Sequence, residues 1–168
     1  WGAGDTVGLT IEEPAHPVCE AFLGQRVKIQ EEIYQFRDPY SREKLRVLIS
    51  IDPNATDMNK QGMKREDGDY AVAWVRSYGE GRVFYTSIGH NEALFADPAI
   101  LKHYLAGIQF ALGDLPAETA PSTQRDPARV AAETAKFMEY ARDEMVRMLA
   151  TCDYGENSNL LENLVRML

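Results

Sequence analysis

Two apolar, β-branched and aromatic runs, Tyr70 to Tyr78 and Arg82 to Ile88, are separated by only Gly79-Glu80-Gly81. So short a connection with a glycine at each end leaves the chain one simple course, a compact hairpin with positive φ expected at the glycines. Any fold of this chain is therefore built around a sheet. Both runs are apolar on both faces, which predicts strands covered on two sides. Upstream, Leu45, Val47, Ile49 and Ile51 alternate strictly until Asp52-Pro53-Asn54 stops them, marking a further strand. Arg26 to Phe36 also alternates, with Val27, Ile29 and Ile33 on one face and Lys28, Gln30, Glu32 and Tyr34 on the other. Thr6 to Ile11 forms a shorter, weaker strand, a small helix is expected from His16, and the polar stretch 56–69 reads as a surface loop.

Helices follow the sheet. Asp97-Pro98 supplies a cap with proline at the first helical position, and Ile100, Leu101, Tyr104, Leu105, Ile108 and Leu112 recur at helical spacing until Gly113. Packing on the sheet is expected through Ile100, Leu101, Leu105 and Ile108. Residues 114–125, rich in Pro, Ala, Ser and Thr, read as a linker. A second Asp-Pro start at Asp126-Pro127 opens a long amphipathic helix whose stripe includes Val130, Phe137, Met138, Ala141 and Met145. After a turn at Asp153-Tyr154-Gly155, Leu160, Leu161, Leu164, Val165 and Leu168 mark another. The expected organisation is an α/β domain over 1–113, a linker over 114–125 and an α-hairpin over 126–168. Residues 1–113 are expected to form a mostly parallel or mixed sheet flanked by helices. The hairpin cannot bury its stripe alone, so it is expected to pack on the α/β part, on further helices, or on a second copy.

Composition excludes several classes of function. At 168 residues and 45% hydrophobic content the chain can bury one sizeable core plus an appendage. Eighteen Lys and Arg against 26 Asp and Glu leave a formal charge of −8, with no basic stripe for a nucleic-acid backbone. No apolar run is long enough to span a bilayer, and the first ten residues lack the pattern of a signal peptide. Cys19 and Cys152 lie in no metal-binding spacing, so idle thiols are expected. The compartment stays open between bacterial cytoplasm and periplasm or export.

Chemistry is concentrated in two places. Ser87-Ile88-Gly89-His90-Asn91-Glu92 sits where a strand gives way to a loop and helix, the position at which α/β sheets place ligands. His90 is a candidate general acid or base, with Glu92 able to orient its ring or act on substrate. The alternative is a loop histidine bonded to backbone. In the second place, Glu32 and Tyr34 share a strand face, with Arg37 and Asp38 at its exit; carboxylates and phenols together suit sugar hydroxyls. Its alternative is an edge strand with solvated charges. His16 reads as a helix-entry residue or ligand, and His103 as structural or exposed. There is no GxSxG, P-loop or GxGxxG.

Ala15-His16-Pro17, Glu32 to Arg42, Ala73 to Arg76 and Gly79 to His90 together resemble the ThuA-like (trehalose utilisation) family over roughly residues 1–113. That family is similar to the flavodoxin-like, class I glutamine amidotransferase-like three-layer sandwiches, whose triad histidine stands in a His-x-Glu placement like that of His90-Asn91-Glu92. The resemblance implies the carboxyl-terminal half of such a domain, with a further amino-terminal half-domain as partner and any nucleophile lying there. It also implies sugar or keto-sugar processing of a hydrolase or isomerase type. His90 would be the acid/base, Glu92 or Glu32 its carboxylate, and Tyr34, Arg37 and Asn91 the substrate-binding residues. A noncatalytic sugar-binding or scaffolding module is the alternative, and a metal held in part by His90 and Glu32 is a third version; the cofactor is not specified. The tail resembles the joins that precede HEAT-type helical repeats in large bacterial proteins.

Overall fold

The computed structural model describes residues 1–23, 27–124 and 127–151. Five strands, β1 (Thr6–Ile11), β2 (Val27–Gln30), β3 (Arg46–Ile51), β4 (Ala71–Tyr78) and β5 (Gly81–Thr86), precede α1 (Pro98–Leu112) and α2 (Pro127–Thr151). Short 3₁₀ turns lie at Glu20–Phe22, Glu92–Ala96 and Ser122–Gln124. The sheet order is β2-β1-β3-β4-β5. Every pairing among the described strands is antiparallel, so the expected parallel or mixed sheet is corrected. The reason is local: parallel neighbours need a crossover of a dozen or more residues, usually a helix, on one side of the sheet. Here β4 returns directly as β5, and the described helices come after the last strand.

The hairpin takes the predicted course, with Gly79 at φ +57° and Trp74 paired to Tyr85 across it, but Gly81 already belongs to β5 and lacks the positive φ expected of it. Its second strand is not covered on both sides as expected. β5 pairs only with β4, lies at the sheet edge and is half-buried or exposed throughout. β2 is shorter than the alternation predicted. Beyond Gln30 the chain stays extended without a regular ladder, and the Glu31 and Ile33 amides donate to Asp5 and Trp1 carbonyls at 3.1 and 3.2 Å.

α1 has the caps its sequence specifies. The Asp97 carboxylate accepts from the Ala99 and Ile100 amides, and Gly113 closes the helix at φ +95°. Its buried face is a correction. Ile100, His103, Gly107 and Phe110 face the sheet, whereas Leu101, Leu105 and Ile108 are exposed, Leu105 to 55%. Two apolar stripes compete on this helix, and the contact with β5 selects the one carrying Gly107. A Cβ there would lie 2.1 Å from the Phe84 ring, so only glycine lets that ring seat against the helix. His103 completes the seat, its Nδ1 donating to the Val18 carbonyl at 2.8 Å.

The stretch expected as a linker is hydrogen-bonded to the sheet over its described part. Ser122 Oγ accepts from the Val47 amide at 2.9 Å, its own amide donates to the Leu45 carbonyl, and the Glu118 carbonyl accepts from His16 Nε2 at 3.1 Å. Beneath it lies a buried ion pair, Arg46 to Glu13 at 2.9 Å. On α2, Phe137 and Ala141 are buried and Met138 is exposed. The second helix of the expected α-hairpin, the Gly155 turn and Cys152 lie outside the described residues.

Candidate functional site

β2 and β5 are opposite edges of the sheet, yet the segments leaving them meet. The sheet curls, and the extended chain after β2 passes the loop after β5. Alternation along that chain sorts its side chains: Glu31 and Ile33 point inward, at 0% and 2% exposure, while Glu32 and Tyr34 point outward.

On the outer side His90 Nδ1 stands 3.0 Å from Glu32 Oε2, and Tyr34 Oη donates to the same oxygen at 2.9 Å. A carboxylate oxygen only accepts, so Nδ1 carries the proton toward Glu32 and the Nε2 lone pair is left for another group. The hydrogen bond to Glu32, and then its negative charge, hold the Tyr34 phenol above its ordinary range. The shelf is open: the His90 and Glu32 side chains are 53% and 31% exposed.

The inner side explains how the loop is held. Glu31 Oε2 accepts from three consecutive amides, Gly89 at 3.0 Å, His90 at 3.1 Å and Asn91 at 3.3 Å, while its Oε1 accepts from the Glu32 amide at 2.6 Å. Gly89 makes the curvature possible. It sits at φ +142°, and a Cβ there would lie 2.9 Å from Tyr104 Oη, which itself donates to the Ile88 carbonyl at 2.7 Å. Burial, reinforced by the Glu31 charge, pushes the Tyr104 phenol up.

Of the residues singled out in the sequence, His90, Glu32 and Tyr34 come together. The carboxylate beside the imidazole is Glu32, 58 positions away in the chain, and not the neighbouring Glu92, which is exposed at the start of a 3₁₀ turn. The Asn91 side-chain Nδ2 donates to the Ala3 and Gln30 carbonyls, both at 2.7 Å, which occupies it in holding the loop. Arg37 lines a neighbouring groove of about 600 Å³ with Phe36, Lys64 and Arg65, and makes no side-chain hydrogen bond among the described residues. No group of three or more metal-ligating side chains occurs among the described residues. His16 and His103 are buried and hydrogen-bonded to backbone, with the ring of each held below its ordinary pKa by burial.

Glu31 was missed by the sequence reading, and the signal for it was present. It falls on the same parity as Val27, Ile29 and Ile33, the one acid on an apolar strand face. A carboxylate at such a position needs buried donors, and here four amides supply them.

The fold and site define an α/β domain in which a histidine–carboxylate pair stands at the loop after an edge strand. The chain belongs to the ThuA (trehalose utilisation) family, whose model matches residues 3–111. No curated protein and no solved structure matches it significantly. The matched span holds the whole sheet, the His90–Glu32 contact and most of α1. No helix among the described residues is long and apolar enough to cross a membrane.

Proposed function

We propose that the chain is a carbohydrate-processing module in which His90 transfers a proton to and from a sugar or keto-sugar. The observation that carries this reading is the 3.0 Å contact between His90 Nδ1 and Glu32. A carboxylate on one ring nitrogen fixes the tautomer and leaves the other to accept a proton, which is the arrangement a general base requires. His90 Nε2 takes a proton from a sugar hydroxyl, from a C–H next to a carbonyl, or from water. Glu32 stabilises the imidazolium that results, and Tyr34 hydrogen-bonds the substrate from beside it. Hydrolysis and isomerisation both use such a step.

Arg37 is assigned to the distal end of the substrate, in the groove that begins just beyond Tyr34. Asn91 is assigned to loop support, since its amide hydrogens are already donated. Any covalent nucleophile would have to come from elsewhere, because no Ser, Thr or Cys is bonded to the His90 ring among the described residues. The superfamily relation to flavodoxin-like amidotransferase folds, and a further half-domain facing the shelf, belong to the same proposal.

The test is turnover of trehalose and of its keto derivatives by the wild-type chain and by His90→Ala and Glu32→Gln. The expected loss is about 10² to 10⁴-fold for His90→Ala, in the range of a lost general acid/base, with the far-ultraviolet spectrum unchanged. Binding retained by both variants without turnover in any form would favour a noncatalytic sugar-binding module instead.

A further inference from the structure

A buried carboxylate, Glu31, lies where the curled sheet closes at the site. Edge strands β2 and β5 lie at opposite ends of the strand order, so no ladder connects their exits. Side chains cross between those exits instead: Glu31 Oε2 accepts from the backbone amides of Gly89, His90 and Asn91, the Asn91 side-chain Nδ2 donates to the Gln30 carbonyl, and His90 Nδ1 meets Glu32. Three successive amides turned toward one point form a concavity that binds an anion. In this chain the anion is internal, and its other oxygen holds the amide of Glu32, the residue that touches His90.

We infer that Glu31 is the positioning residue of the site: its carboxylate fills the Gly89–Asn91 amide nest and thereby sets His90 against Glu32. It does not touch substrate. The inference rests on the proposed role of the His90–Glu32 pair for its functional meaning, but the latch itself is a statement about amides and a carboxylate. Removing the side chain leaves three amides pointing into a space sized for a small carboxylate. Formate or acetate, supplied from solution, matches both the charge and the shape of what was lost.

Hydrogen exchange at the Gly89, His90 and Asn91 amides tests the latch in the full chain without reference to turnover. In Glu31→Ala these amides should exchange about 10- to 100-fold faster, the equivalent of losing a charge-assisted bond, while α1 amides from His103 to Phe110 keep their protection. Added formate should slow them again, and formate should leave the wild-type chain unaffected. Where Glu31→Ala does not fold, Glu31→Gln preserves the shape but turns an amide donor toward the nest or toward Glu32, and faster exchange confined to 89–91 is expected. Unchanged protection at those amides in either folded variant, or in Glu31→Ala a loss that formate does not reverse, overturns the inference. The two readings fail separately. Formate-reversible exchange together with full turnover by His90→Ala would retain the latch and remove the catalytic proposal.

Discussion

His103 offers a test in which the sign and size of the effect follow from the structure. The ring is fully buried beneath α1, packed against Phe22 and Phe84 with centroids 5.2 and 5.1 Å away, and its Nδ1 donates to the Val18 carbonyl. Its Nε2 is buried without a hydrogen-bond partner. Burial is the main cause that lowers its pKa from 6.5 to about 4, with the nearby His16 adding in the same direction and the Val18 bond opposing it. Above pH 6.5 the ring is neutral in both the folded and unfolded chain, and its contribution to stability is fully present. Between 6.5 and 4 the unfolded chain takes up a proton that the folded chain refuses, so stability falls as pH falls, by about 1.4 kcal/mol per unit. The whole window is worth about 3 kcal/mol, a large share of the 5–15 kcal/mol typical of a domain. Urea midpoints measured from pH 7.5 to 4 should fall along this slope. His103→Asn keeps a donor for Val18 but does not titrate, so its stability should be lower at pH 7.5 yet lose about 3 kcal/mol less over the window. A variant with the same pH slope as wild type would refute the assignment and leave the acid sensitivity to His16 and the carboxylates.

The two stripes of α1 predict opposite outcomes for similar truncations. Ile100→Ala should cost about 2–5 kcal/mol in chemical denaturation, and Leu105→Ala within about 0.5 kcal/mol of nothing; equal costs would mean that the helix is seated on a different face. Gly107→Ala gains about 1 kcal/mol of helix propensity but drives a methyl into the Phe84 ring, for an overpacking cost of about 1–3 kcal/mol or more. Net destabilisation is expected, with altered shifts along β5 up to His90, and a raised melting temperature would contradict the close approach.

Much of this fold is legible residue by residue. The Asp97-Pro98 and Gly113 brackets locate α1 because capping chemistry is local, the period of two locates β3, and two apolar runs joined by Gly79-Glu80-Gly81 locate the hairpin. Four things were not legible. The antiparallel order depends on which strands neighbour one another, and the period of an isolated strand carries no direction. The buried stripe of α1 was misassigned because leucines at helical spacing outweigh a histidine and a glycine in any reading by hydrophobicity; only the presence of Phe84 makes Gly107 the contact residue. At the site, His90, Glu32 and Tyr34 could be named from their chemistry. The pairing of His90 with Glu32 in place of Glu92 comes from the curl of the sheet, which no spacing reports. Glu31 was hidden for a different reason: a run of two glutamates invites a solvated reading, and only parity with Val27, Ile29 and Ile33 separates the inward acid from the outward one.

The central claim, that the His90–Glu32–Tyr34 shelf is where this ThuA-family chain meets a carbohydrate, is tested most directly by chemical-shift mapping during titration with trehalose and keto-sugars. The account predicts the largest, saturable changes at the His90 ring and the Glu32 and Tyr34 amides, extending to Arg37 and leaving His16 and Arg46 unmoved. Saturable changes centred on His16 and Arg46, or on the outer face of α1, with the His90 ring unchanged, would contradict it.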